Sequence, residues 1–120
     1  MIYIAAPLFN PRERAFNLKL KAIIGRSVYL PQEDGELMEN LIRRGETVEY
    51  AADLVYKNDL RALHASEAMV AVLDGAHLDS GVAFEIGFFN ALAACRTGAS
   101  ICARRRQFCR KSWGKSRHQS

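Results

Sequence analysis

Four side chains stand out because their chemistry disagrees with their surroundings. Glu85 is the only charged residue in Ser80-Gly81-Val82-Ala83-Phe84-Glu85-Ile86-Gly87-Phe88-Phe89-Asn90-Ala91-Leu92-Ala93-Ala94-Cys95. A helix this apolar on every side is expected to be buried, and an ionised carboxylate there is costly unless it is paired, hydrogen-bonded or set in a cavity wall. Its place near the helix start supplies part of the compensation, through free backbone N–H groups and the helix dipole. Asp59 repeats the anomaly: on a helical wheel it falls between Val48, Ala52, Val55 and Leu63, whereas Asp53 projects toward the polar side. Asp79 stands at the mouth of the helix that carries Glu85. Tyr3, in an apolar run expected to be buried, needs a partner for its hydroxyl. Carboxylates from two helices meeting at one crevice suit acid, base or nucleophile work on a small molecule.

Each of these residues also has a plain structural use. Glu85 can pair with an arginine or cap a neighbouring element, and Asp59 can cap or bridge to the following loop. Asp79 is well placed as an N-cap, and Asp74, next to Gly75, reads as a turn residue. His64 and His77 stand apart from any Ser or Cys elbow and receive no role. Neither G-x-x-x-x-G-K-[ST] nor G-x-G-x-x-G occurs, so ATP or dinucleotide binding of those kinds is unsupported.

The elements that must position these residues are legible as alternating patterns. Ile2-Tyr3-Ile4-Ala5-Ala6, stopped by Pro7, reads as a strand buried on both faces. Residues 12–24 form a helix with apolar positions at Ala15, Phe16, Leu18, Leu20, Ile23 and Ile24 and a glycine stop at Gly25. Val28-Tyr29-Leu30 makes a second short strand before Pro31, and Gln32-Glu33-Asp34-Gly35 a polar turn. A loop or short helix runs to Gly45. Residues 47–64 are strongly helical, with Val48, Ala52, Val55, Tyr56 and Leu63 on one face. Ala68-Met69-Val70-Ala71-Val72-Leu73 is the clearest strand, Asp79 or Ser80 caps the next helix, and a fourth strand is expected over residues 100–103. Strand and helix alternation implies an α/β fold: a doubly wound parallel sheet of the flavodoxin-like kind, shortened at its C-terminus. Such sheets bind ligands beyond the carboxyl ends of their strands, here residues 5–10, 31–35 and 74–85.

Composition narrows the classes. The 120 residues suit one core, and no stretch approaches the roughly 20 apolar residues of a membrane helix, so the chain reads as soluble and cytoplasmic with no membrane partner. Cys95, Cys102 and Cys109 have neither disulfide-framework nor zinc spacing, so neither a disulfide framework nor a structural metal site follows. The formal charge of +4 divides unevenly: all 13 acidic residues lie at or before Glu85, and eight of the 17 basic ones lie between Arg96 and Arg117. With only Phe108 and Trp113 as stacking aromatics, that basic end reads as a solvated segment, and nucleic acid is not the expected partner.

These residues resemble the nucleoside 2-deoxyribosyltransferase family. The matching features are Ile2-Tyr3-Ile4-Ala5-Ala6-Pro7-Leu8-Phe9, Leu30-Pro31-Gln32-Glu33-Asp34-Gly35, Lys57-Asn58-Asp59-Leu60 and, above all, Asp79-Ser80-Gly81-Val82-Ala83-Phe84-Glu85-Ile86-Gly87. The likeness covers roughly residues 1–94, read as the transferase-like α/β domain, with 95–120 a basic, diverged or truncated segment. It implies transfer of a 2-deoxyribosyl group between nucleobases by double displacement, with Glu85 as the nucleophile. Asp59 resembles the carboxylate that exchanges a proton with the base, and Tyr3 the residue that orients Glu85. Asp79 resembles the acceptor for the sugar's primary hydroxyl, beside Ser80 and Gly81, with Phe9, Gln32 and Asp34 lining the base pocket. Deoxynucleosides and free nucleobases are the implied partners, in a homodimer or higher assembly, and the resemblance implies no metal or organic cofactor.

Relatives that hydrolyse nucleotides accept a 5-phosphate and tend to carry a serine or similar neutral donor where Asp79 stands. A carboxylate there would repel a phosphate dianion. Deoxynucleoside monophosphate hydrolysis is therefore the alternative activity, and an inactive nucleoside-binding relative the alternative to an enzyme. The family usually continues with further sheet and an Asn-containing segment that completes a neighbouring subunit's site, and Cys102-Ala103-Arg104-Arg105-Arg106 stands where relatives carry a Thr/Asp-type loop.

Overall fold

The computed structural model describes residues 1–75, 77–95 and 100–104. The basic segment after Arg104, with Cys109, Phe108 and Trp113, lies outside the described residues, as does any nucleic-acid contact it would make. In chain order the elements are β1 (Ile2–Ala5), α1 (Pro11–Ile24), β2 (Val28–Tyr29), α2 (Pro31–Asp34), α3 (Met38–Arg43), α4 (Val48–Ala65), β3 (Ala68–Val72), α5 (Ser80–Cys95) and β4 (Ser100–Arg104). The strands form one parallel sheet in the order β2-β1-β3-β4. This is the α/β architecture expected from the alternation, compatible with a flavodoxin-like fold. Because β1 lies between β2 and β3, the chain reverses its winding direction at β1, and a crevice opens there beyond the strands' carboxyl ends.

Strand alternation decides which residues face which helices. Tyr3 and Ala5 of β1, with Met69 and Ala71 of β3, pack with Ala62 and Leu63 of α4 and Val82 and Phe89 of α5. Ile4, Ala6 and Leu30 face the other way, against Leu20 and Ile24 of α1. The register pairs Tyr3 with both Tyr29 and Met69, so the Tyr3 phenol sits mid-sheet on the α4/α5 side. Both faces of β1 are covered, which explains its continuous apolar run.

Local signals set both ends of α1 and the start of α4. Asn10 and Glu13 form a capping box at the start of α1, Pro11 opens the helix, and Gly25 closes it at φ 62°. Thr47 caps α4 by accepting from the Tyr50 N–H at 3.2 Å.

Three expectations change. Residues 32–35 are not an open polar turn: Pro31–Asp34 is one turn of helix, because Leu30 and Pro31 carbonyls accept from Asp34 and Gly35. The buried line of α4 runs through Ala51, Ala62 and Leu63, while Val48, Ala52 and Tyr56 are exposed. The inward face is thus rotated from the expected one, yet Asp59, half-buried, stays on the inner arc. Nor is α5 buried all round. Only Val82 and Phe89 are buried along it, and Phe84 is 48% exposed, because among the described residues its neighbours lie on one side.

Gly25, like Gly45 and Gly75, has a positive φ that L side chains rarely adopt. Gly25→Ala is expected to cost about 1 kcal/mol, read as a lower Tm in thermal unfolding with activity unchanged at room temperature.

Candidate active site

The crevice at the winding reversal is a cavity of about 480 Å³. The β1–α1 loop contributes Phe9, α4 contributes Asp59, and the start of α5 contributes Asp79, Gly81 and Glu85. Five of the sequence-derived site residues therefore share one wall. The sixth, Tyr3, is fully buried behind it and donates its hydroxyl proton to Glu85 Oε1 at 2.6 Å. That contact joins residues 82 positions apart and answers both anomalies at once: the buried phenol has its acceptor, and the buried carboxylate has a donor. Among the described residues no cation forms an ion pair with Glu85.

The helix start acts differently from the expectation. Glu85 lies beyond the first turn of α5, outside reach of its free N–H groups. Asp79 takes that place: its Oδ1 accepts from the Val82 N–H at 2.9 Å. The cap and the cavity wall are thus one side chain. A side chain at Gly81 would come within 3.1 Å of the same Asp79 oxygen, so glycine keeps the carboxylate in position.

Burial governs the ionisation of the group. It pushes Glu85 up to about 7; the Tyr3 hydrogen bond pulls the other way, and the charges of Asp59 and Asp79 add to the rise. Burial also pushes Asp59 up to about 6. Tyr3 is driven far upward, first by burial and then by the Glu85 and Asp59 charges, so its phenol stays protonated and remains a donor. Two carboxyl groups poised near neutrality in one cavity can divide the roles of nucleophile and proton carrier.

Gln32, Asp34 and Ser80 are not in this wall. Gln32 sits in an amide relay: its Nε2 donates to the Arg14 carbonyl at 3.1 Å, and its Oε1 accepts from Asn17 Nδ2 at 3.0 Å. The same Asn17 nitrogen donates to the Pro7 carbonyl at 2.9 Å. Asp34 accepts from the Leu30 N–H at 2.8 Å, and Ser80 is an exposed first residue of α5.

Sequence reasoning missed Arg14, Glu36 and Glu39, which also line the cavity. Arg14 ties its rim, with Nε donating to the Leu8 carbonyl at 2.7 Å and Nη2 to Glu39 Oε1 at 2.8 Å. Its position on an amphipathic helix gave no signal. Buried Asn17 did carry one, as an amide three and seven residues before Leu20 and Ile24 on the inward line of α1. Relay and ion pair together hold the loop on which Phe9, 74% exposed, reaches the cavity.

The family model described as nucleoside 2-deoxyribosyltransferase matches residues 2–110, almost the whole chain. The chain belongs to that family. No curated protein matches it significantly. A nucleoside 2-deoxyribosyltransferase-family protein is an enzyme of the glycosyl-transferring kind, acting on nucleosides and nucleobases. Among the described residues no three His, Cys, Asp or Glu side chains group as a metal site, and no helix is long and apolar enough to cross a membrane.

The raised Glu85 pKa has a sign for stability. Between the ordinary carboxyl value of 4.5 and about 7, the folded state holds a proton that the unfolded state has lost. The associated stability is full at low pH and disappears as pH rises through 7. Glu85→Gln is therefore expected to melt several degrees above the parent at pH 8, with the gap closing toward pH 4, as followed by calorimetry.

Proposed function

We propose that this protein transfers a 2-deoxyribosyl group between nucleobases through a covalent glutamyl-deoxyribose intermediate. The observation that carries the reading is the Tyr3 to Glu85 hydrogen bond of 2.6 Å at a carboxylate that faces a nucleoside-sized cavity without an ion-pair partner among the described residues. A neutral donor restrains the carboxylate without cancelling its charge.

In the first half-reaction Tyr3 holds Glu85 Oε1, and Oε2 attacks the anomeric carbon of a bound deoxynucleoside. The new C–O bond forms as the glycosidic C–N bond breaks, and its electron pair leaves with the base. Asp59, protonated, gives its proton to the departing base. In the second half-reaction an incoming base attacks the same carbon, the ester bond breaks back to the Glu85 carboxylate, and Asp59 recovers a proton. Two inversions give net retention. Asp79 accepts from the sugar's primary hydroxyl and Phe9 stacks on the base. Asp79, which has no ion-pair partner among the described residues, opposes a phosphate dianion at the cavity, which favours unphosphorylated nucleosides over monophosphate hydrolysis.

The exposed apolar side of α5 supports association with further copies of the chain. Substrates of this kind, and cysteines without a disulfide framework, fit a cytoplasmic protein.

Deoxyinosine with free adenine is expected to yield deoxyadenosine by chromatography, and Glu85→Ala to abolish the exchange. Undiminished exchange in that variant overturns the mechanism. A 2-fluoro-2-deoxynucleoside is expected to leave an adduct on Glu85, seen by intact mass. Asp59→Asn is expected to slow exchange by about 10²–10⁴.

Competence requires Glu85 ionised and the proton on Asp59. kcat/KM is therefore expected to be bell-shaped with its maximum between about 6 and 7, falling below as Glu85 gains a proton and above as Asp59 loses one. Light scattering at micromolar concentration is expected to show a dimer or larger assembly.

A further inference from the structure

We propose that Tyr29 is a positioning residue for this site, acting through Tyr3: its ring is the platform that aims the Tyr3 hydroxyl at Glu85. The inference rests on the reading of Glu85 as nucleophile. Tyr29 and Tyr3 are direct neighbours in the β1/β2 register, and their rings stack with centroids 5.4 Å apart and planes inclined by 16°. A phenol reaches its acceptor only along the direction its ring sets, so a 2.6 Å hydrogen bond at the ring's tip depends on what fixes the ring. On one side of Tyr3 the register partner is Met69, an adaptable side chain. On the other side the partner is the flat, rigid Tyr29.

At its far end Tyr29 reaches Gly35. Its hydroxyl lies 3.1 Å from where a Cβ on Gly35 would stand, and that Cβ would also meet the Pro31 carbonyl oxygen at 2.7 Å. The absence of a side chain at residue 35 thus leaves room for the phenol against α2. Tyr29 is not in the wall of the substrate cavity; it borders a separate crevice of about 480 Å³ with Asn58, Arg61 and Gly35. Its action therefore runs through Tyr3 and not through substrate. The ring is what Tyr3 meets, so phenylalanine serves in its place and an aliphatic residue does not.

The titratable groups facing Glu85 are Tyr3 from β1, Asp59 from α4 and Asp79 at the mouth of α5, with Arg14, Glu36 and Glu39 also lining the cavity. Of these the hydrogen bond from Tyr3 alone lowers the Glu85 pKa. A Tyr3 that loses its aim should therefore let Glu85 titrate at higher pH.

The test is a double-mutant cycle. Tyr29→Leu, which keeps bulk but removes the ring, and Tyr29→Phe are made in the parent and in a Tyr3→Phe background. Exchange kinetics across pH are combined with ¹³C NMR titration of the Glu85 carboxyl, assigned with Glu85→Gln. Tyr29→Leu is expected to lower kcat by about three- to tenfold with KM unchanged, and to move the Glu85 titration upward by about half a unit. Tyr29→Phe restores both. In the Tyr3→Phe background, Tyr29→Leu changes neither quantity by more than about twofold. The proposal is overturned if folded Tyr29→Leu titrates as the parent does, or if its effect is equal in both backgrounds. Exchange surviving Glu85→Ala would refute the nucleophile reading, while the NMR titration still decides whether Tyr29 governs the Tyr3 bond.

Discussion

The contact on which the rest of the molecule turns joins a part-buried carboxylate to a buried phenol. A cation would satisfy Glu85 electrostatically and quench it; water would satisfy it and leave it indistinguishable from a surface group. A phenol inside the sheet does neither. The Tyr3 hydroxyl supplies one short hydrogen bond while remaining neutral, because burial, then the Glu85 and Asp59 charges, drive its pKa upward. Much of the fold serves that contact. Alternation along β1 sends Tyr3 to the α4/α5 side, and the packing of Val82 and Phe89 onto the same core fixes the helix that bears Glu85.

What the sequence disclosed depended on how strongly a residue contradicted its neighbours. A carboxylate on an apolar arc is rare enough to be conspicuous, so Glu85 and Asp59 could be singled out, and the cavity wall contains both. Long apolar runs bounded by Pro, Gly or capping residues made β1, α1, α4, β3 and α5 legible. Gln32 and Asp34 were harder, because a polar residue after a strand has many local backbone partners, and here the Arg14 carbonyl and the Leu30 N–H take them. Arg14 is conspicuous only in three dimensions, where α1 and α3 meet.

The two misjudged helix faces share one cause. Apolar composition says that a surface needs covering, not which neighbour covers it. In α4 the residues that pack with β1 and β3 are Ala62 and Leu63 near its end, while larger side chains such as Val48 and Tyr56 stay outside. In α5 composition was uniformly apolar, so no pattern distinguished the face toward β3 from the face left open.

Asp79 joins two duties that usually belong to different residues, closing the first turn of α5 through the Val82 N–H while presenting a carboxylate to the cavity. Serine fills an N-cap about as well as aspartate. On the proposed reading, the charge that greets the sugar can thus be erased by one replacement that leaves the helix anchored. On that same reading, preference for neutral or phosphorylated ligands is a variable that can drift without a folding penalty to hold it in place.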